Sequence, residues 1–188
     1  MNVVGVVLAG GRSSRMGTDK RLLTLASEHD GLGRTYLQHA ADRLRACGWP
    51  VWLSVEAEFD REVRGVGRVV VDRRRSGPIS GLESSLRAAK GDGFTHAMFT
   101  PVDVPRIRDD DLRHVSGDGD GSIPQVGFSH QVEPLIGLYP VTLAADLAKS
   151  IEQDRRSVRR FLFRHPHVLV PLKPEHCVNH NTPADRRA

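Results

Sequence analysis

Thirteen consecutive residues, Leu8-Ala9-Gly10-Gly11-Arg12-Ser13-Ser14-Arg15-Met16-Gly17-Thr18-Asp19-Lys20, gather three glycines, three hydroxyls and three cations into one short stretch. A loop so composed can turn backbone N–H groups and guanidinium charge toward a triphosphate. It is neither of the two common phosphate loops: the spacing GxxxxGK[ST] is absent, and so is GxGxxG, which argues against a P-loop ATPase and a dinucleotide-binding dehydrogenase. By composition alone the same residues also read as a solvated strand-to-helix turn whose glycines only permit the bend, and both readings stand at this point.

The elements that must position such a loop are legible around it. Residues 3–9 form a β-branched apolar run stopped by Gly10-Gly11, the pattern of a strand buried on both faces of a parallel sheet. Residues 36–47 place Leu37, Ala40, Ala41, Leu44 and Cys47 at helical spacing and end at Gly48, a favoured helix stop. Further strands are expected at 51–55 and 69–72, the second ending in Asp72 before the basic turn Arg73-Arg74-Arg75. Ile79, Leu82, Leu86 and Ala89 mark a helix after Gly77-Pro78, and 96–100 reads as a strand with Asp103 just past its end. Residues 115–121 (VSGDGDG) read as a polar mobile loop, 122–126 and 132–138 as a strand pair joined by a turn, 141–152 and 157–163 as helices, 168–171 as a last strand, and Pro183 as a terminal helix start. This alternation predicts one domain over 1–188, an α/β three-layer sandwich with a Rossmann-like, mainly parallel mixed sheet and helices on both faces. Ligands would bind beyond the carboxyl ends of the strands.

Composition narrows the classes. The 188 residues suit one domain with its own core, and 39% hydrophobic with 27% charged residues excludes a disordered chain. The formal charge is +4, but 23 of the 27 basic residues are arginine, a bias pointing to genome composition more than to a selected surface. A small polyanionic ligand accounts for that excess as well as nucleic acid does. With 5% aromatics and no finger, helix-turn-helix or RNP motif, a nucleic-acid partner is not expected. Cys47 and Cys177 stand far apart without CxxC spacing, and the nine histidines form no metal-spaced cluster. No Ser/His/Asp or Cys/His set suggests covalent catalysis. A basic leader, or an apolar run of the roughly 20 residues a membrane span needs, is absent, so no membrane association and a cytoplasmic location are expected.

The string LAGGRSSRMGTDK resembles the LAGGxSxRMGxDK motif of MobA-type molybdenum cofactor guanylyltransferases, members of the nucleotidyltransferase superfamily. The resemblance continues in order along the chain. Asp72 ends a strand where the family keeps an aspartate; Gly77-Pro78-Ile79-Ser80-Gly81-Leu82 is similar to its GPLAG loop; Thr100-Pro101-Val102-Asp103-Val104-Pro105 to its P-x-D-x-P segment; and Val178-Asn179-His180-Asn181-Thr182-Pro183 to its VNxNTP element. The fold it implies is that of nucleotide-diphospho-sugar transferases.

The activity it implies is Mg²⁺-dependent transfer of GMP from GTP to molybdopterin or molybdenum cofactor, with release of pyrophosphate. Cofactor-biosynthesis proteins and acceptor molybdoenzymes are the further partners it suggests. Such a reaction brings two anions together, so the site must neutralise charge with Mg²⁺ and cations. The resemblance implies Arg15, Lys20 and Asp103 as catalytic groups and Arg12 as added positive charge. It implies Leu8, Ala9, Gly10, Gly11, Lys20, Ser54, Asp72, Gly77, Pro78, Gly81 and Asp103 as nucleotide-binding residues, with base selection by backbone groups near Leu8, Ala9 and Gly81. Asp103 is the metal ligand it implies, with Asn181 or Asn179 as an oxygen donor; asparagine before Thr-Pro is also a frequent turn former. Two departures stand out. Ser54 occupies the place where the family often has asparagine, and residues 26–33 (ASEHDGLG) are longer and more polar than the family's turn. On the acceptor side, His130-Gln131-Val132-Glu133-Pro134-Leu135 resembles a segment near the pterin substrate and reads equally as a hairpin turn with a polar rim. Asp19 before Lys20 favours GTP; a cytidylyltransferase, whose relatives more often carry proline there, and a non-catalytic nucleotide-binding relative are the alternatives.

Overall fold

The computed structural model describes residues 1–10, 24–25, 33–56, 59, 62–72, 74–117 and 121–180. Seven strands form one sheet: β1 (Val3–Leu8), β2 (Val51–Val55), β3 (Val66–Val71), β4 (His96–Pro101), β5 (Gln125–Phe128), β6 (Val132–Pro140) and β7 (Val168–Pro171). Their spatial order is β3-β2-β1-β4-β6-β5-β7. All pairings are parallel except those of β6, which runs antiparallel to both β4 and β5. The sheet is therefore mixed because of a single reversed strand.

Among the described residues five helices cover it: α1 (Tyr36–Ala46), α2 (Pro78–Gly91), α3 (Asp109–Ser116), α4 (Ala144–Glu152) and α5 (Val158–Leu162). Alternation along β1 divides the core in two. Val4, Val6 and Leu8 pack with Ile79, Leu82, Leu86 and Ala89 of α2 and with residues of α4 and α5. Val7 and Ala9 pack on the other face with Leu37, Ala40, Ala41 and Leu44 of α1 and Leu112 and Val115 of α3. The result is the expected three-layer sandwich.

The differences from the sequence reading lie where periodicity is weak. Helix α3 was not expected, and residues 115–116, read there as the start of a loop, are its last turn. It has only two buried apolar residues, Leu112 and Val115, so its pattern is faint; it is set instead by its ends. The Asp111 carboxylate accepts the Arg108 N–H at 2.9 Å, and three aspartates occupy the first turn, where the helix dipole favours negative charge. Residues 118–120 of the expected loop lie outside the described residues, as does the terminal helix start at Pro183. The expected strand at 122–126 is instead β5 at Gln125–Phe128, and the first turn of the expected 141–152 helix is a 3₁₀ turn, Val141–Leu143.

Gly5 shows how tightly α1 sits on the sheet. A Cβ there would lie 3.0 Å from Leu44 Cβ and 3.1 Å from its Cδ2. We expect Gly5→Val to destabilise the fold by about 1–3 kcal/mol through overpacking, read as a lowered midpoint of urea denaturation.

Candidate functional site

Strand β1 lies between β2 and β4, so the chain leaves it toward one side of the sheet and later returns on the other. Such a switch point opens a crevice beyond the carboxyl ends of the strands. A cleft enclosing about 590 Å³, part of it open to solvent, lies there. Its lining comes from strand ends: Leu8 and Gly10 after β1, Ser54, Val55 and Glu56 from β2, Asp72 after β3, Pro101, Val102 and Asp103 from β4, Leu135 from β6, and Gly77, Pro78 and Gly81 from the start of α2.

The strand ends are held in register beyond the regular ladder. Ala9 N–H donates to Ser54 O at 2.9 Å, Val102 N–H to Leu8 O at 3.1 Å, and Asp72 N–H to Val55 O at 2.7 Å. Asp72 itself is 1% exposed. One of its oxygens accepts the N–H groups of Arg74 and Arg75 at 3.0 and 3.3 Å, and the other accepts the Ser80 hydroxyl. The Ser80 hydroxyl oxygen in turn accepts Ser76 N–H at 2.9 Å. The buried carboxylate thus joins the end of β3 to the first turn of α2, with its own oxygens satisfied by the backbone donors of the turn and the Ser80 hydroxyl.

Helix α2 begins at the cleft with Pro78 at its first position, after Gly77 at φ +79°, a conformation that favours glycine. Gly81 is where the helix comes nearest to the sheet: a Cβ there would lie 3.1 Å from Ser54 Oγ and 3.4 Å from Leu8 Cδ2. A side chain at 81 would close the cleft floor. Pro78 has no N–H and the Ser80 N–H is donated to Gly77 O at 3.0 Å, so what this helix start offers the wall is chiefly the positive end of its dipole, which favours anions.

Asp103 stands at the other side of β1, partly exposed at the end of β4. Its segment is anchored from below by α1. His39, 2% exposed, donates through Nε2 to Pro105 O at 2.9 Å. The Tyr36 hydroxyl is hydrogen-bonded to His180 Nδ1 at 3.0 Å, and His180 N–H donates to Asp103 O at 2.9 Å. The Val178–Asn179–His180 stretch is therefore brought against Asp103 through its main chain. His180 is buried, whereas Asn179 is exposed and does not line the cleft.

Of the residues expected from sequence, Leu8, Gly10, Ser54, Asp72, Gly77, Pro78, Gly81 and Asp103 converge on this one cleft. Ala9, between Leu8 and Gly10, has its side chain in the core and its amide N–H donated to Ser54 O of β2. Gly11, Arg12, Arg15, Lys20 and Asn181 lie outside the described residues, as do residues 26–32 of the polar segment. Residues 129–131 form the turn between β5 and β6, with Ser129 N–H donating to Gln131 O at 3.0 Å; from that segment Leu135 reaches the cleft. Sequence reasoning missed Glu56, Ser80, Tyr36, His39 and His180 as parts of the site. For Glu56 the signal was present, because alternation along β2 puts it on the same face as Ser54.

A MobA-like NTP transferase domain model matches residues 5–168, nearly the whole of the sheet described above. The chain belongs to that family. A Rhodopirellula baltica protein named "Probable molybdenum cofactor guanylyltransferase" is 36% identical over 193 residues, covering 97% of this chain and 89% of that one. In fold, the chain is similar to molybdopterin-guanine dinucleotide biosynthesis protein A of Archaeoglobus fulgidus, with a TM-score of 0.76 at 21% identity over 97% of this chain and 94% of that one. It is also similar to a Mycobacterium tuberculosis protein solved in complex with manganese, with a TM-score of 0.68 at 22% identity over 100% and 96% of the two chains. Family members are nucleotidyltransferases, and the location of the cleft agrees with that chemistry.

Among the described residues no group of three or more His, Cys, Asp or Glu side chains could hold a metal. The Asp103 carboxylate at the cleft is the kind of oxygen donor that suits hard Mg²⁺ or Mn²⁺, ions that keep several waters and can take further ligands from nucleotide phosphates. Neither cysteine lines the cleft. Burial pushes Cys177 up to about 12, with Glu133, Asp111 and Glu175 adding to the effect, and pushes Cys47 up to about 11.

Two outcomes follow. Tyr36→Phe, by removing the hydroxyl bound to His180, should cost about 1–2 kcal/mol in urea denaturation and raise the half-saturating divalent-metal concentration while leaving kcat at saturating metal near wild type. Because both thiols are held protonated, their labelling by a disulfide reagent at pH 8 should be at least about tenfold slower in the native protein than in urea, with native reactivity rising only above about pH 10.

Proposed function

We propose that this chain is a guanylyltransferase that moves GMP from GTP onto the phosphate of molybdopterin or molybdenum cofactor and releases pyrophosphate. The observation that carries this is the convergence of eight motif residues on one cleft at the switch point of a sheet whose family transfers nucleotides. The relative from R. baltica, matched over nearly its whole length, is named for that reaction.

The nucleophile is the acceptor's own phosphate, so the protein supplies no covalent intermediate. It aligns two anions for in-line attack on the α-phosphorus and lowers the cost of their approach. The cleft floor of Leu8, Gly81 and Pro78 receives the nucleoside, and the positive end of the α2 dipole faces it. Lys20 and Arg15, with Arg12, are assigned to the β- and γ-phosphates and to the charge that grows on the departing pyrophosphate. Asp103, with Asn181 or Asn179, is assigned to a divalent cation. Bound there, the cation would neutralise phosphate oxygens around the reacting phosphorus. His180 and Tyr36 hold the Asp103 main chain in position.

The test is direct. Incubated with molybdopterin and Mg²⁺, the purified protein should convert GTP, in preference to CTP, into a dinucleotide product seen by mass, with one pyrophosphate released per product. Asp103→Ala should lower kcat by roughly 10²-fold or more, the scale of losing one electrostatic stabiliser of the transition state, with a smaller change in nucleotide affinity. Preferential CMP transfer would refute the guanylyl assignment, and absence of any nucleotide binding would refute the function.

A further inference from the structure

Given a guanylyltransferase, something in the cleft must tell guanine from the other bases. At the end of β1, Leu8 O already accepts from Val102 N–H and Ala9 N–H donates to Ser54 O. Asp72 has both oxygens engaged by Arg74, Arg75 and Ser80. Ser54 is 2% exposed, with Oγ against the α2 backbone at Gly81. Glu56 is different. It lines the cleft, is partly exposed, and its carboxylate has no hydrogen bond or ion pair among the described residues.

Its position is nonetheless fixed. Glu56 Cγ would lie 3.1 Å from a Cβ on Gly10, so the side chain lies along the Gly10 backbone, and Glu56 O accepts Arg75 Nε–H at 3.2 Å. Arg75, held at φ +49°, belongs to the turn that Asp72 organises. From this braced main chain the Glu56 side chain lines a cleft with apolar sides of Leu8, Val55, Pro78, Val102 and Leu135.

The sheet also sets the span. Glu56 follows β2 and Asp103 follows β4, on either side of β1, so two strand spacings, about 10 Å, separate their strands. A nucleoside monophosphate reaches across that gap with its base edge at one carboxylate and its phosphate at the other.

We propose that Glu56 selects guanine by accepting both the N1–H and the 2-amino N–H of its Watson–Crick edge. Guanine offers two adjacent donors there, which match the two oxygens of an ionised carboxylate. Cytosine and adenine each pair one donor with an adjacent acceptor, and uracil flanks its single donor with carbonyls, so each sets an acceptor against the carboxylate. This inference rests on the guanylyltransferase reading and names its specificity residue.

The experiment is nucleotide binding by calorimetry with Mg²⁺ present and no acceptor, using GTP, ITP, XTP and CTP. Wild-type protein should bind GTP roughly 10- to 100-fold more tightly than ITP, which lacks the 2-amino donor, and XTP more weakly still, because its 2-carbonyl faces the carboxylate. Glu56→Gln supplies one acceptor and one donor, the complement of xanthine's N1–H and C2 carbonyl. It should lose at least about tenfold in GTP affinity and gain in XTP affinity, inverting the ratio. Equal loss for all four nucleotides would overturn the inference, since it would place Glu56 at the ribose or a metal; so would an unchanged GTP:XTP ratio. Equal wild-type affinity for GTP and ITP would overturn it without any variant. A wild-type protein that prefers CTP would instead defeat the guanylyltransferase reading itself.

Discussion

The buried Asp72 carboxylate is the interaction on which the geometry of the cleft depends. With both oxygens accepting from Arg74, Arg75 and Ser80, it closes the turn after β3 and fixes where α2 starts. Everything that faces the nucleoside from that side follows: the positive φ of Gly77, the first-turn Pro78, and the close approach of Gly81 to Ser54 and Leu8. The same turn presents Arg75 to the backbone of Glu56. A charge buried this deeply is tolerated because its bonds are made, and removing one partner would leave an open acceptor in the interior.

Among the described residues, the rest of the cleft offers positioning rather than a reactive thiol. The two thiols are far from ionisation at neutral pH, one of them hydrogen-bonded to the carbonyls of Arg43 and Asp109. What the described residues contribute is a rigid frame: three extra strand-end hydrogen bonds, a helix start aimed at the ligand, and two histidines of the lower layer that hold the Asp103 segment from beneath. Rigid placement is the feature that nucleotidyl transfer requires, because both reactants carry their own reactive groups.

Much of this was readable in the sequence, for physical reasons that differ from residue to residue. Strand ends that meet a ligand carry Gly, Pro and Asp, so Gly10, Gly77-Pro78, Gly81 and Asp103 announce themselves by type and order. The helices α1 and α2 are legible because Leu37, Ala40, Ala41 and Leu44, and likewise Ile79, Leu82, Leu86 and Ala89, keep to one face. Helix α3 is not, since only Leu112 and Val115 are buried. Ser54 lines the cleft at the end of β2, and Glu56, two residues on and on the same face, lines it too, its carboxylate without a hydrogen bond or ion pair among the described residues. Of the VNHNTP element, the described part shows a role for its histidine that the sequence reading did not assign: His180 is buried and bonded to Tyr36 and to Asp103. Those contacts join residues far apart in the chain, and no local pattern encodes them.

The single reversed strand has a consequence for how the two halves of the site can change. The nucleotide half is built from β1, β2, β3 and β4, parallel neighbours whose connections cross over helices, so its shape is a property of the whole sandwich. The side beyond β4 is built by β5 and β6, antiparallel and joined by the three-residue turn 129–131, with Leu135 entering the cleft from it. A hairpin can be lengthened, shortened or recoloured at its turn without re-registering its neighbours. One fold can thereby keep a fixed grip on the donor while its opposite bank is refitted to new acceptors.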